Sequence, residues 1–147
     1  YIALVTGLVE KNQIIKNKIS RHRINRLKMC ISDSGKESIS KIKIIERFEK
    51  ASFLDIELVT GRTHQIRVHL SSLGHPIFGD DLYGFKKNAH NYNKKLLNFL
   101  NSYPYHALHA QYLSLNHPIT KKKVIINSET PESFVTIKSL LNNYGKS

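Results

Sequence analysis

The stretch GRTHQIRVHLSSLGHPIFGD, residues 61–80, contains the clearest structural pattern in the sequence. Ile66, Leu70 and Leu73 recur at spacings of four and three residues, which is the period of one face of an α-helix. The stretch therefore predicts an amphipathic helix that buries these three side chains. His64, Arg67, Val68 and Ser71 fall on the other side of that helix.

Residues on both sides of the stripe set the ends of this helix. Thr60 and Thr63 precede it, and either hydroxyl can cap its first turn. Gly74 follows the stripe and accepts the left-handed conformation that ends many helices, and Pro76 cannot continue one.

Strands are predicted upstream of the helix. Residues 41–44 and 53–58 alternate polar and apolar side chains, and the short connection at residues 49–52 predicts an antiparallel hairpin with one buried face. Residues 1–10, YIALVTGLVE, form another apolar, β-branched run that predicts a strand. The basic segment 11–30 has no clear period and is interpreted as loop and short strands.

The downstream segments predict a mixture of helices and strands. Residues 96–100 suit a short helix, 107–115 a largely buried strand and 124–126 a further strand. Thr130 as cap and Pro131 in the first turn predict a terminal helix through Leu141, with Gly145 just past its end. The predicted fold class is α+β, a mixed α/β chain with a largely antiparallel sheet and flanking helices.

Composition limits the classes of protein that this chain can represent. Its 147 residues, 40% hydrophobic and 23% charged, suit one globular domain without a membrane span or signal peptide. The lone Cys30 cannot form an internal disulfide, which favours a reducing compartment and a structural role for this thiol. A net charge of +12 suits a polyanionic partner, although a Lys- and Asn-rich composition from an AT-rich genome also explains it.

The histidines of the opening stretch invite a metal site, but their spacing argues against one. His64 and His69 are five residues apart, so they point in different directions on a helix, and His106 and His109 fall on opposite faces of a predicted strand. The sequence also lacks the motifs of a nucleophilic serine elbow and of a phosphate-binding loop. A metal-dependent hydrolase is thus the least favoured hypothesis.

The sequence alone allows two interpretations of Arg67. It is either part of a solvated helix face or a guanidinium held against a carboxylate or phosphate. Spacing alone does not choose between them.

Three blocks of the sequence resemble RluA-type RNA pseudouridine synthases. The first is LVTGRTHQIRVHLSSLGHPIFGDDLYG at residues 58–84, which is similar to the family's motif Thr-Gly-Arg-x-His-Gln-Ile/Leu-Arg-x-His, followed by Gly-His-Pro-Ile-x-Gly-Asp and Tyr-Gly. The others are HALHAQYLSLNHPIT at 106–120 and YIALVTG at 1–7, and residues 21–45 fit the stretch between them. The resemblance covers residues 1–130.

This resemblance implies isomerisation of uridine to pseudouridine in ribosomal or transfer RNA, without cofactor or metal. Tyr1 matches the family tyrosine that stacks on the base, and Arg67 matches the arginine that pairs with an essential aspartate. The resemblance also suggests that Arg62, His64 and Gln65 support the helix start. The remaining matched positions are interpreted as architectural, namely His69, His75, Pro76, Gly79, Asp80, His109 and His117.

The essential aspartate of the family lies in a His-Arg-Leu-Asp segment that these residues do not contain. Asp33, Asp55, Asp80 and Asp81 occupy other motifs and cannot replace it. We therefore expect residues 1–147 to be the C-terminal part of the catalytic domain, inactive without the N-terminal part.

RNA is the expected partner of a cytoplasmic, monomeric protein, with no membrane and no metal. We expect Arg21, Arg23 and Arg26 to be exposed and to contact the RNA. The alternative hypothesis is a non-catalytic RNA-binding module derived from the same fold.

Overall fold

A computed structural model of the chain describes residues 1–143. Residues 2–58 form five strands, and residues 65–142 form the helices and three further strands. They are β1 (Ile2–Thr6), β2 (Gln13–Arg21), β3 (Met29–Ile31), β4 (Lys36–Arg47), β5 (Ala51–Leu58), α1 (Gln65–Ser72), α2 (Phe85–Asn88), α3 (Lys94–Ser102), β6 (Leu108–His109), β7 (Tyr112–Asn116), β8 (Lys123–Asn127) and α4 (Glu132–Asn142).

Six strands form one antiparallel sheet in the order β3-β2-β4-β5-β1-β6. The predicted hairpin is confirmed as β4 and β5, with Ile42 opposite Ile56 and a register shift between Ile44 and Glu46. The interpretation of residues 11–30 as loop and short strands is wrong for β2, a nine-residue strand that pairs with both β3 and β4. Its inward residues Ile15 and Ile19 are buried, but Asn17 lies between them on the same face and Ile14 is exposed on the other face, which obscured the alternation.

Helix α1 packs on the sheet with its predicted stripe inward. Ile66 and Leu70 are buried, and Leu73 packs against the same core. The other side of α1 is covered as well, because Val68 is buried in a cluster with Ile19 and Tyr83. Most of the helix is therefore fixed by packing, which gives its polar side chains defined positions.

The start of α1 differs from the prediction. The capping position is His64, in the left-handed conformation with φ 56°, and its side chain makes no capping hydrogen bond. Thr60 instead donates its hydroxyl hydrogen to Gln65 Oε1 (2.8 Å), which also accepts the Arg62 N–H. The predicted end is confirmed, since the helix ends at Ser72 and Gly74 has φ 83°.

The segment after α1 runs along β1 and forms backbone hydrogen bonds with it. Thr6 donates its N–H to Pro76, Phe78 donates to Leu4, and Val5 bridges Ile77, so this segment runs beside β1. The chain then turns at Gly79, where φ is 79° and an added Cβ would lie 2.8 Å from the Tyr105 carbonyl oxygen. This turn directs Asp80 back toward α1.

The last part of the described chain is less buried than its sequence suggested. The prediction of one largely buried strand over residues 107–115 is wrong, because the chain forms the short β6 and then β7, whose residues are all exposed. Among residues 1–143, strands β7 and β8 pair with each other and with no other strand. The predicted strand at 124–126 and the short helix at 96–100 are confirmed within β8 and α3.

The terminal helix is confirmed as α4, although its capping residue is Pro131 and not Thr130. Gly145 lies outside the described residues. No helix in residues 1–143 combines the length and apolar character needed to cross a membrane. The fold class is confirmed as α+β with a largely antiparallel sheet.

Candidate active site

A cleft of about 350 Å³ opens where the start of α1 approaches the end of β5 and the β1 edge of the sheet. Tyr1 and Arg67, the two residues singled out from the family motifs, both line it. The other lining residues are Leu58, Arg62, His64, Gln65, Ile66, His106 and Leu108. The cleft thus has apolar walls and a group of nitrogen-bearing side chains, a combination that suits a planar, polar ligand.

Arg67 forms a two-point ion pair with Asp80 in this structure. Its Nε donates to Asp80 Oδ2 and its Nη2 to Oδ1, both at 2.8 Å. The Asp80 side chain is 1% exposed and that of Arg67 is 14% exposed. The hydrogen bonds to Asp80 raise the pKa of Arg67 above its ordinary value. The guanidinium is therefore oriented and permanently charged.

The remaining edge of the Arg67 guanidinium is available to the cleft. The Asp80 contacts use Nε and one Nη2 hydrogen, and the guanidinium has no other hydrogen-bond partner among residues 1–143. The ring of Tyr83 lies under it, with Cζ 4.8 Å from the ring centroid. Arg67 can therefore pair with a second anion without releasing Asp80.

Asp80 is unsuited to be a nucleophile. Its carboxylate accepts both Arg67 hydrogen bonds, and Oδ1 also accepts the Tyr83 N–H at 3.3 Å. A nearly inaccessible carboxylate with both oxygens engaged has no route to a ligand in the cleft. Its geometry is that of a residue that positions Arg67.

His64 connects the cleft to β3 through Tyr83. The Tyr83 hydroxyl oxygen accepts the Met29 N–H and lies 2.8 Å from His64 Nδ1, so its own hydrogen can be donated to the imidazole. Burial, followed by the charge of Arg67, lowers the pKa of His64. The same two causes, in the same order, lower the pKa of His106 across the cleft. The lowered pKa values favour the neutral imidazoles near pH 7, which leaves Arg67 and Arg62 to supply the positive charge of the cleft.

Tyr1 and Gln65 are fixed by the backbone around them. The Tyr1 carbonyl oxygen accepts the Ile56 N–H at 2.7 Å, and Tyr1 as a whole is 39% exposed. Gln65 is buried and donates from Nε2 to the Ile39 carbonyl oxygen and to Ser40 Oγ. Gln65 therefore ties the loop before α1 to β4.

Arg62 lines the cleft, with its Nε donating to the Glu37 carbonyl oxygen at 3.1 Å. Arg21, Arg23 and Arg26 lie outside the cleft, exposed at and beyond the end of β2. Arg21 donates from Nη1 to the Arg26 carbonyl oxygen at 2.6 Å. The predicted site residues therefore form two groups, one in the cleft and one on the connection between β2 and β3.

The histidines interpreted as architectural occupy separate surroundings. His75 Nδ1 lies 2.9 Å from the Thr6 carbonyl oxygen, His109 packs against Phe134, and His117 Nδ1 accepts two N–H groups of the turn after β7. No group of three or more metal-binding side chains occurs within the described part of the chain.

His69 gives the fold a predicted pH dependence. It is fully buried, with Nδ1 2.9 Å from Ser40 Oγ and Nε2 without a partner, and burial lowers its pKa. Because the unfolded chain then binds protons at higher pH than the folded chain, stability should fall as the pH drops from about 7 toward 5.

Thermal unfolding across this pH range tests the prediction with His69→Asn, which should show a smaller loss of melting temperature on acidification. His90→Asn, at an exposed position, is the control and should keep the wild-type dependence. An unchanged dependence in His69→Asn would contradict the assignment.

Sequence reasoning missed three features of the cleft. Asp80 was interpreted as architectural without its contact to Arg67, Tyr83 was treated only as part of a motif, and His106 was placed in a strand although it precedes β6. The available signal was that Arg67, Asp80 and Tyr83 all lie in one motif, since a buried carboxylate needs a cation nearby.

Comparisons with known proteins agree with this arrangement. Residues 1–72, which include Tyr1 and Arg67, match the model of the family described as RNA pseudouridylate synthase. The chain has the fold of human RNA Pseudouridylate Synthase Domain Containing 1, with a TM-score of 0.69 and 29% identity over 88% of this chain and 53% of that one. Residues 1–72 thus carry the pattern of the RNA pseudouridylate synthase family, and similarity to proteins named as pseudouridine synthases extends over 96% of the chain.

Its curated relatives place it among the RluA-type members. It is 39% identical to "Ribosomal large subunit pseudouridine synthase D" of Pseudomonas aeruginosa over 96% of this chain and 44% of that protein. It is 36% identical to "Uncharacterized RNA pseudouridine synthase" of Aquifex aeolicus over 98% of this chain and 45% of that protein. The chain thus spans less than half the length of these relatives.

Proposed function

We propose that the protein carrying this chain isomerises uridine to pseudouridine in RNA, and that the cleft between Tyr1 and Arg67 receives the uracil. In this reaction the bond from C1′ to N1 breaks, a bond from C1′ to C5 forms, and a proton leaves C5 while N1 gains one. There is no net oxidation, so no redox cofactor is required. The uridine must leave its stack to enter the cleft.

The observation that carries the proposal is the half-paired guanidinium of Arg67. Asp80 holds one edge of it, and the other edge is available in a cleft whose histidines have lowered pKa values. A guanidinium in this state is suited to hold a second carboxylate or an RNA phosphate in a fixed orientation. The resemblance assigns the second carboxylate to the aspartate of the His-Arg-Leu-Asp segment in the complete protein.

Large-subunit ribosomal RNA is the proposed substrate, because relatives that share up to 39% identity carry that substrate in their names. This substrate and the single cysteine support a cytoplasmic location. Transfer RNA is a less favoured substrate.

A nucleoside assay of the complete natural protein tests the proposal. Incubation with large-subunit RNA transcripts, followed by digestion and mass spectrometry of nucleosides, should show pseudouridine formed without added metal or cofactor. RNA binding without pseudouridine would contradict the proposal and favour the non-catalytic RNA-binding module.

A further inference from the structure

The connection between β2 and β3 presents apolar side chains to solvent within a basic sequence. Residues 22–28, HRINRLK, follow Arg21 at the end of β2 and are called the basic loop below. Ile24 is 91% exposed and Leu27 is 75% exposed. Large aliphatic side chains at such exposure on a loop tip make no contribution to the core, which raises the question of what they contact.

The basic loop has a defined conformation. His22 Nδ1 accepts the N–H groups of Ile24 and Asn25, and Asn25 Oδ1 accepts the N–H of Leu27. His22 and Lys28 close the loop through a backbone hydrogen bond of 3.0 Å. Ile24 and Leu27 are therefore presented by an ordered turn, which reduces the entropy lost when a partner binds.

The C-terminal end of the basic loop is connected to the cleft through hydrogen bonds. Met29, the residue after the loop, donates its N–H to the Tyr83 hydroxyl, and Tyr83 in turn contacts His64 and Arg67. Arg21 and Arg62 line one depression, and Arg62 also lines the cleft. A ligand that extends out of the cleft therefore meets the basic loop nearby.

We propose that Ile24 and Leu27 pack against the faces of unpaired bases next to the uridine held in the cleft, while the cations of the loop bind the adjacent phosphates. This inference rests on the proposed function. A base that leaves its stack exposes the apolar faces of its neighbours, and aliphatic side chains inserted at base steps cover such faces. Ile24 and Leu27 would thus hold the RNA in its opened conformation.

The charges around the two aliphatic residues favour RNA over a protein partner. Residues 21–28 contain Arg21, Arg23, Arg26 and Lys28 and no acidic residue. Closely spaced cations repel one another and are costly to bury in a protein interface, whereas they match the charge spacing of a phosphate backbone. Single-stranded RNA offers both phosphates and unstacked apolar faces, which a double helix does not.

The test measures the affinities of wild type and variants of the complete natural protein for two RNAs. One RNA is a stem–loop with a uridine in its loop, and the other is a fully paired duplex of similar length. The double variant Ile24→Ala/Leu27→Ala should bind the stem–loop about tenfold more weakly, because two apolar contacts are lost. Its affinity for the duplex should stay within about twofold of wild type.

Two further variants separate the apolar contribution from the electrostatic one. Val135→Ala removes an aliphatic side chain of similar exposure (61%) from α4 and should leave both affinities unchanged. Arg23→Gln should weaken binding to both RNAs and reduce the salt slope by about one, whereas the double variant should keep the wild-type slope.

Equal affinity of the double variant and wild type for the stem–loop overturns the inference, as does an equal loss for both RNAs. The proposed function fails separately, if wild type binds the stem–loop but forms no pseudouridine. Absence of any RNA binding by wild type overturns both.

Discussion

Replacing Asp80 with asparagine is expected to lower the free energy of unfolding by about 3 kcal/mol, because it leaves the partly buried Arg67 guanidinium without its carboxylate. Asparagine keeps the shape of the side chain and one acceptor for the Tyr83 N–H, so the change isolates the charge. The 14% exposure of Arg67 gives the unpaired cation some access to solvent, which places the effect near the lower end for a broken buried pair. Denaturant unfolding of wild type and variant measures it.

The neighbouring residue supplies a matched control. Asp81 forms an ion pair with Lys86 at 3.0 Å, but its side chain is 49% exposed. Asp81→Asn should therefore change the free energy of unfolding by no more than about 0.5 kcal/mol. Similar losses in the two variants would contradict the interpretation that burial makes the ion pair of Asp80 and Arg67 important for stability.

Arg67→Lys is expected to reduce turnover of the complete protein about 100-fold while RNA binding changes little. Lysine keeps the positive charge, but its three N–H groups diverge from one nitrogen, so it cannot form the planar two-point pair with Asp80 that leaves a separate edge for a second anion. The cleft would keep its shape and lose the fixed orientation of its cation. Single-turnover rates and RNA affinities, measured side by side, separate the two effects.

Arg47→Lys is the corresponding control. Arg47 donates to the carbonyl oxygens of Val9 and Glu10, away from the cleft. This variant should keep the wild-type turnover. Equal losses of binding and turnover in Arg67→Lys would show that Arg67 acts only as an RNA-binding cation.

The parts of the fold that were predicted from the sequence depend on local pattern. The hairpin of β4 and β5 and the buried stripe of α1 were found because alternation and helical spacing report burial directly. Strand β2 was missed because Asn17 interrupts its inward face and Ile14 lies exposed on its solvent face, so the alternation is irregular. The exposure of β7 was missed because its apolar composition says nothing about whether another element covers it.

The candidate site was predicted only in part, because some of its contacts join residues that only the tertiary structure brings together. The family motif identified Tyr1 and Arg67, and the structure brings both into one cleft. The pairing of Arg67 with Asp80 depends on residues 76–78, which run beside β1, and on the turn at Gly79. Neither feature is visible in the spacing of Arg67 and Asp80. The position of His106 depends on the same segment, because Ala107 donates its N–H to the Phe78 carbonyl oxygen.

The central claim is that the cleft between Tyr1 and Arg67 receives the uridine. Photo-crosslinking tests it most directly, with RNA that carries 4-thiouridine at the modified position and mass spectrometry to identify the attached peptide of the complete protein. We expect the crosslink at residues that line the cleft, Tyr1 or Leu108 among residues 1–143. A crosslink confined to the exposed ribbon of β7 and β8, or to the basic loop, would contradict the assignment of the cleft.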